Sequence, residues 1–242
     1  MTRLLNGIVA FGSALLLAVT LIGAGFAAVA IPDAVTATLS RAFSGCDQPN
    51  TPFTADELAS MAIAGKHYTF DDNDREKLDA AIAEANIAAE ADGRATASNR
   101  ENAARSLPAD AISHLDDVYR VASMAKPALV IVAVLCVAGL AHVAVRIGRR
   151  ALGRTLIAGG GLVLAAFCAL GAWAAINFDG LFAAFHSLFF QAGTWTFPYD
   201  SLLITLYPTA FWMGMGGIWL AVTCIASIIC IIVGRLLRSE TE

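Results

Sequence analysis

Hydrophobic positions along this chain fall into four long runs free of Asp, Glu, Lys and Arg, at residues 4–31, 127–145, 155–176 and 211–234. Each is near or above the roughly 20 helical residues needed to cross the hydrocarbon of a bilayer. The pattern predicts four transmembrane helices, at 1–31, 127–145, 155–176 and 211–234. They are joined by segments at 32–126, 146–154 and 177–210, with a short tail at 235–242. The first run is far longer than the ~7–15-residue core of a secretory signal, so it reads as a span and not as a cleaved leader.

Segment 32–126 carries helix signals throughout and no strand-like alternation. Thr54-Ala55-Asp56-Glu57, just ahead of Leu58, has the spacing of a capping box, in which a hydroxyl and a carboxylate three residues apart satisfy orphan backbone N–H groups. Ser98-Asn99-Arg100-Glu101 repeats that spacing. Residues 71–91 predict a helix with Leu78, Ile82 and Ala85 on one face, ended by Asp92-Gly93. Pro108 suits a first helical position and opens a helix through Ile112, Leu115, Tyr119 and Ala122 toward the second span. Pro127 disfavours helix at Lys126, which predicts a break within 124–127 that lays the preceding helix flat on the bilayer.

Segment 177–210 is dense in aromatic residues, a class that favours the headgroup level of a membrane. Phe178, Phe182, Phe185 and Phe189 follow spacings of a helical face, while Asp179 and His186 share another. The stretch reads as an interfacial helix, too short to span, followed by Phe190, Trp195, Phe197, Tyr199 and Tyr207.

Composition supports this picture. The hydrophobic share is 57% and the charged share 15%, against about 45–50% and about 25% in soluble domains. A purely cytosolic enzyme and a disordered chain are both excluded. With 16 basic residues against 20 acidic ones and no basic stripe, there is nothing to neutralise a nucleic-acid backbone. Arg146, Arg149, Arg150 and Arg154 between the second and third spans predict a cytoplasmic loop, and Arg3, Arg235 and Arg238 put both termini on that side. Segments 32–126 and 177–210 are then extracytoplasmic. The first of them holds 16 acidic and 9 basic residues, the balance of a solvated surface. Of five cysteines only Cys46 lies outside the spans, and no paired spacing suggests a disulfide framework or a metal site.

Four histidines are available for chemistry. His142 reads as a boundary residue and His67 as a surface loop residue. His186, among phenylalanines at a lipid surface, is either an amphipathic residue reaching for water or a half-desolvated acid–base group suited to ester or amide chemistry. His114 has Asp117 three residues on, on the same helical face, to orient its ring, with Asp116 as the near alternative. No HExxH predicts zinc, no GxSxG predicts a serine hydrolase, and no Asp, Glu, Lys or Arg within a span predicts a pore.

Two motifs resemble those of a known family. Ser113-His114-Leu115-Asp116-Asp117-Val118, and Phe178-Asp179 through Phe185-His186-Ser187-Leu188-Phe189-Phe190, are similar to the Lit family of lipoprotein intramolecular transacylases of Gram-positive bacteria. The likeness continues through Trp195, Asp200, Leu203, Ile204 and Pro208 and covers the four-span plan. The sequence departs from the family in the alanine-rich stretch from about Ala80 to Ala104 and at Phe211-Trp212-Met213-Gly214. The resemblance implies an all-α polytopic membrane enzyme whose substrates are diacylglyceryl-modified lipoproteins. The acyl chain on the second glycerol carbon would move to the α-amine of the same N-terminal cysteine, with no cofactor or metal. It implies His114 and His186 as base and proton donor in unspecified order. Asp117, Asp116 or Asp179 would support a ring, and Phe182, Phe185, Phe189, Phe190 and Trp195 would seat the lipid. Neutral histidines of ordinary pKa would make activity fall below about pH 6. The alternative is a non-enzymatic membrane protein that docks a partner on its outer helices. The two readings differ in whether His114 and His186 meet across 72 positions of sequence.

Overall fold

The computed structural model describes residues 2–48, 50–96 and 102–239 and, among them, helices and loops but no strand. In chain order the helices are α1 (Thr2–Ala30), α2 (Asp33–Phe43), α3 (Ala55–Phe70), α4 (Arg75–Ala91), α5 (Asn102–Arg105), α6 (Ala109–His142), α7 (Arg149–Ile176), α8 (Phe178–Phe189), α9 (Leu202–Leu206) and α10 (Thr209–Ser239). A single π-helical turn, Val143–Ile147, follows α6 and ends at Gly148, whose φ of 119° is a left-handed conformation that suits glycine. Four helices are long and apolar enough to cross a membrane, at Arg3–Ala30, Ala109–Ile147, Arg149–Ile176 and Thr209–Ser239. The protein is an all-α integral membrane protein with four spans.

The chain divides into two compact units. A span unit takes Met1–Val29, Ala125–Leu181 and Gly217–Glu242; a histidine unit takes Ala30–Met124 and Phe182–Gly216. Inside the span unit, Ala18, Val163 and Phe167 form a buried cluster with Trp219 against it. The Trp219 ring meets Phe26 and Phe167 edge-on at 5.7 and 5.2 Å, and its indole N–H donates to the Ile22 carbonyl at 3.0 Å. α7 and α10 approach at Gly153 and Gly234, where an added Cβ on either would lie about 2.5 Å from the other's carbonyl oxygen. Small residues allow such backbone approach between membrane helices, where packing and not water exclusion drives association.

The histidine unit is built by caps, ion pairs and a conventional core. Thr54 caps α3 in a complete capping box with Glu57, as the spacing predicts. Arg94 clamps the same Glu57 with two nitrogens at 2.9 and 2.7 Å. Met61, Leu78, Leu202 and Leu206 are fully buried, with Phe53, Leu58, Tyr68, Ile82, Ala111, Ile112 and Leu115 packed around them. This core joins α3, α4, α9 and the first turns of α6. Tyr207 donates to the Ala62 carbonyl at 2.7 Å across α3, over Gly65, where any Cβ would collide with its hydroxyl.

Several sequence expectations are corrected. The helix expected over 71–91 begins at Arg75: Asp71 ends α3, and Asp74 caps α4 by accepting from the Glu76 and Lys77 N–H groups. The run Asp71-Asp72-Asn73-Asp74 is turn and cap chemistry, with Asn73 at a φ of 55°. Gly93 ends α4 in the left-handed conformation, as expected. His67 lies in the last turn of α3 and not in a loop. The break expected within 124–127 does not interrupt the helix, which runs from Ala109 to His142 with Pro127 inside. Proline lacks the N–H that would bond the Ser123 carbonyl, yet the helical backbone continues through it. The second capping-box motif, Ser98 to Glu101, lies outside the described residues.

α6 has 34 residues, about 51 Å at 1.5 Å per residue, against ~30 Å of hydrocarbon. Its first part carries Asp110, Asp116, Asp117, Arg120 and Lys126. From Pro127 to its end the helix carries no Asp, Glu, Lys or Arg, so its charged residues and His114 all belong to the part before Pro127.

Candidate active site

His114 and His186 come from distant parts of the sequence and meet inside the histidine unit. Their ring centroids are 6.1 Å apart and the planes 28° from parallel. Relative exposure is 8% for His114 and 9% for His186.

Each ring is positioned by ordinary folding forces. On α6, Ala111, Ile112 and Leu115 face the core and carry His114 inward with them. One turn onward, the Tyr68 hydroxyl donates to Asp116 at 2.5 Å and fixes the rotation of α6 against α3. Desolvation and the neighbouring carboxylate hold the Tyr68 phenol up at about 12, so it stays a donor. On α8, the His186 Nδ1 lies 2.8 Å from the Phe182 carbonyl four residues earlier. A carbonyl only accepts, so Nδ1 carries the hydrogen and the neutral ring presents a bare Nε2.

Aromatic side chains close around the pair. Phe182 lies against His186 at 4.0 Å and Trp195 at 4.9 Å. Phe190 stands edge-on to His114 at 4.9 Å and 5.6 Å from His186, and Phe197 is 5.5 Å from His114. The loop bearing Trp195 and Phe197 is tied down at its far end. Ser201 caps α9, the Tyr199 hydroxyl donates to the Asp47 carbonyl at 3.0 Å, and Gln48 donates to the Tyr199 carbonyl at 2.8 Å.

Two buried polar atoms inside this cage have no partner: Nδ1 of His114 and the indole Nε1 of Trp195. An unpaired buried polar atom costs about 1–3 kcal/mol, so it points to a group that arrives from outside. Burial, and secondarily the charge His186 would bear, push His114 down to about 4, with Asp117 pulling the other way. Burial also pushes His186 down, against the Phe182 carbonyl, which favours the protonated ring. Both rings are therefore neutral at pH 7, and the sequence expectation of a fall in activity near pH 6 moves lower.

The predicted site residues separate into two groups. His114, His186, Phe182, Phe190 and Trp195 are brought together, and Phe185 touches His186 at 5.6 Å. Phe189 packs on Phe185 at 5.2 Å instead of on a histidine, and Phe185, Leu188 and Phe189 are exposed. The carboxylates are engaged elsewhere. Asp117 pairs with Arg120 at 2.5 Å, Asp116 with Tyr68, and Asp179 is an exposed residue in the first turn of α8. The orienting group for His186 is a backbone carbonyl, which no spacing of acidic residues could reveal. Phe197 was not among the predicted site residues; its place two positions after Trp195 in the aromatic segment is the only signal for it.

Residues 94–212, which include both histidines, match the family model described as Lipoprotein intramolecular transacylase Lit. The chain is similar in structure to the membrane integral lipoprotein intramolecular transacylase Lit from Bacillus cereus, with a TM-score of 0.72, 17% identity, and 98% of this chain and 97% of that one covered. Two further structures of that protein, one with a histidine-to-arginine and one with a histidine-to-alanine mutation, give TM-scores of 0.66 and 0.69 at 17% identity. The first covers 99% of this chain and 95% of that one, the second 99% and 96%. At this identity the likeness establishes a shared fold. The comparison with curated proteins finds no match.

Proposed function

Taking as premise that the chain is of the Lit family through residues 94–212, we propose that it is an intramolecular transacylase of diacylglyceryl-cysteine lipoproteins. It moves the acyl chain on the second glycerol carbon to the α-amine of the same cysteine and leaves a lyso-form lipoprotein. The observation that carries this reading is the meeting of two neutral, nearly buried histidines in an aromatic cage.

The chemistry follows from what the cage offers. An ammonium has no lone pair to attack with, so the cysteine amine reacts in its neutral form, and among the described residues no carboxylate is bonded to either ring to hold it charged. The amine nitrogen attacks the ester carbonyl, the C–N bond forms, and the nitrogen of the tetrahedral intermediate becomes strongly acidic. His186 Nε2, bare in this tautomer, accepts that proton. The proton taken up by His186 passes to His114, and as the C–O bond to glycerol breaks His114 gives it to the glycerol oxygen, so both rings end neutral. Each imidazolium disfavours the other, so the pair carries one proton at a time: one arrives from nitrogen and one leaves to oxygen. Both reacting groups belong to one lipid anchor, so the enzyme's work is orientation and proton handling. No cofactor or second acyl donor enters the balance. The exposed Phe185, Leu188 and Phe189 suit contact with acyl chains, and we place the site on the extracytoplasmic side with both termini cytoplasmic.

The test is mass spectrometry of N-terminal lipopeptides from a bacterium that makes only diacyl lipoproteins, expressing the wild-type chain or its histidine variants. The expected result is one acyl chain shifted from glycerol to nitrogen with wild type and with neither His114→Ala nor His186→Ala. Unchanged diacyl lipopeptide in the presence of well-expressed wild-type protein refutes the reading and favours a partner-docking protein.

A further inference from the structure

The unpartnered indole of Trp195 is left over once the two histidines have been given their work. Its Nε1 is buried without a partner in a ring 4.9 Å from His186 and 6.5 Å from Phe182. The hydroxyl-bearing aromatic residues nearby are differently placed: Tyr207 donates to Ala62 and Tyr199 to Asp47. An indole N–H donates and never accepts, so the group that completes it must be an acceptor. Its pKa is far too high for it to give up the proton, so its service is a fixed dipole and not acid catalysis.

We propose that Trp195 is a further catalytic residue whose indole N–H hydrogen-bonds the carbonyl oxygen of the migrating ester and stabilises the oxyanion of the tetrahedral intermediate. This deepens the transacylase reading and rests on it. When the amine nitrogen bonds to the ester carbon, the carbonyl π pair moves onto oxygen, which becomes O⁻. That charge lies in a water-poor aromatic cage, where a preorganised donor is worth much more than in water. As the C–O bond to glycerol breaks, the pair returns to form the amide carbonyl. The indole proton stays on nitrogen throughout, and the proton lost by the amine travels through the histidine pair.

The indole N–H therefore bonds most strongly to the charge that exists only between the ester and the amide, which predicts an effect on kcat and little on KM. The full-length chain is assayed in detergent with a synthetic dipalmitoylglyceryl-cysteinyl peptide, following the acyl shift by mass spectrometry. Two changes at position 195 separate hydrogen bonding from packing: Trp195→Phe, and replacement of the indole N–H by sulfur, which keeps the ring's shape. The expected result for both is a roughly 100-fold lower kcat, the scale of losing one oxyanion donor, with KM within about twofold of wild type. A sulfur isostere with kcat within about threefold of wild type overturns the proposal, as does a change confined to KM, since either makes Trp195 a packing residue. Wild-type protein inactive on this peptide overturns the transacylase reading itself, and with it this inference.

Discussion

His67 and the His114–His186 pair lie in the same unit and have opposite surroundings. His67, partly exposed on the last turn of α3, is bracketed by carboxylates: Nε2 is 3.0 Å from Asp33 and Nδ1 is 2.9 Å from Asp71, with Lys66 on the same Asp33. Both of its nitrogens are satisfied within the chain. The pair is surrounded by aromatic faces, and His114 Nδ1 has no partner. A histidine beside carboxylates has the look of catalytic geometry on paper, yet His67 ties α2 to α3, while in the pair His186 is held by the Phe182 carbonyl and His114 Nδ1 is left open.

The largest effect that can break this contrast is loss of either caged ring. His186→Ala and His114→Ala should each lower kcat by about 10²–10⁴, the range for positioned acid–base groups, measured on purified protein with a lipopeptide substrate. A variant within tenfold of wild type would remove that ring from the chemistry.

Next in size is the response to pH. Both rings have folded-state pKa values below the unfolded ~6.5, so the unfolded chain binds more protons between that value and the folded ones. The stability this confers is present above about 6.5 and is lost as pH falls toward about 4, the value for His114. Under saturating substrate, the fall in kcat on acidification should have its midpoint below the ordinary ~6.5, because both rings are pushed down, His114 to about 4. A midpoint near 6.5 would show rings exposed to water.

Asp117→Asn is a smaller test. In a triad, the acid orients its histidine and its amide replacement costs about 10⁴. Here Asp117 is bonded to Arg120 and acts on His114 only through space, so kcat at pH 7.5 should fall less than about threefold. A loss above 100-fold would restore Asp117 as an orienting residue.

The smallest effect belongs to His67→Ala. Half-exposed ion pairs contribute about 0–1 kcal/mol, so the variant should keep kcat within about twofold and unfold within a few degrees of wild type. Loss of activity comparable to His186→Ala would erase the distinction between the two sites.

What could be read from sequence tracks how local the determining forces are. The four apolar runs and the Thr54–Glu57 capping box depend on a few consecutive residues, and all are present in the structure. Gly93 ends α4 for the same kind of reason. Pro127 misleads because a proline removes one backbone hydrogen bond, a local penalty that a long helix can carry without ending. The start of α4 was misread because Asp71 to Asp74 satisfy helix periodicity while their short side chains prefer to bond the backbone.

The site divides in the same way. His114 and His186 are legible from their types and settings, and their meeting brings together side chains of α6 and α8 that are 72 positions apart in sequence. The Phe182 carbonyl that orients His186 is backbone, invisible to any motif. Phe197 and the open indole N–H of Trp195 emerge only once the loop before α9 is anchored by Tyr199, Gln48 and Ser201.

The most direct measurement uses a diacylglyceryl-cysteinyl peptide with isotope only in the acyl chain on the second glycerol carbon, mixed with an unlabelled peptide of different mass. After incubation with purified wild-type protein, the label should appear as an amide on the cysteine nitrogen of the peptide that carried it. It should be absent from the second peptide and from reactions with His114→Ala or His186→Ala. Label remaining on glycerol, label released as free acid, or label crossing to the other peptide would contradict an intramolecular transfer run by this histidine pair.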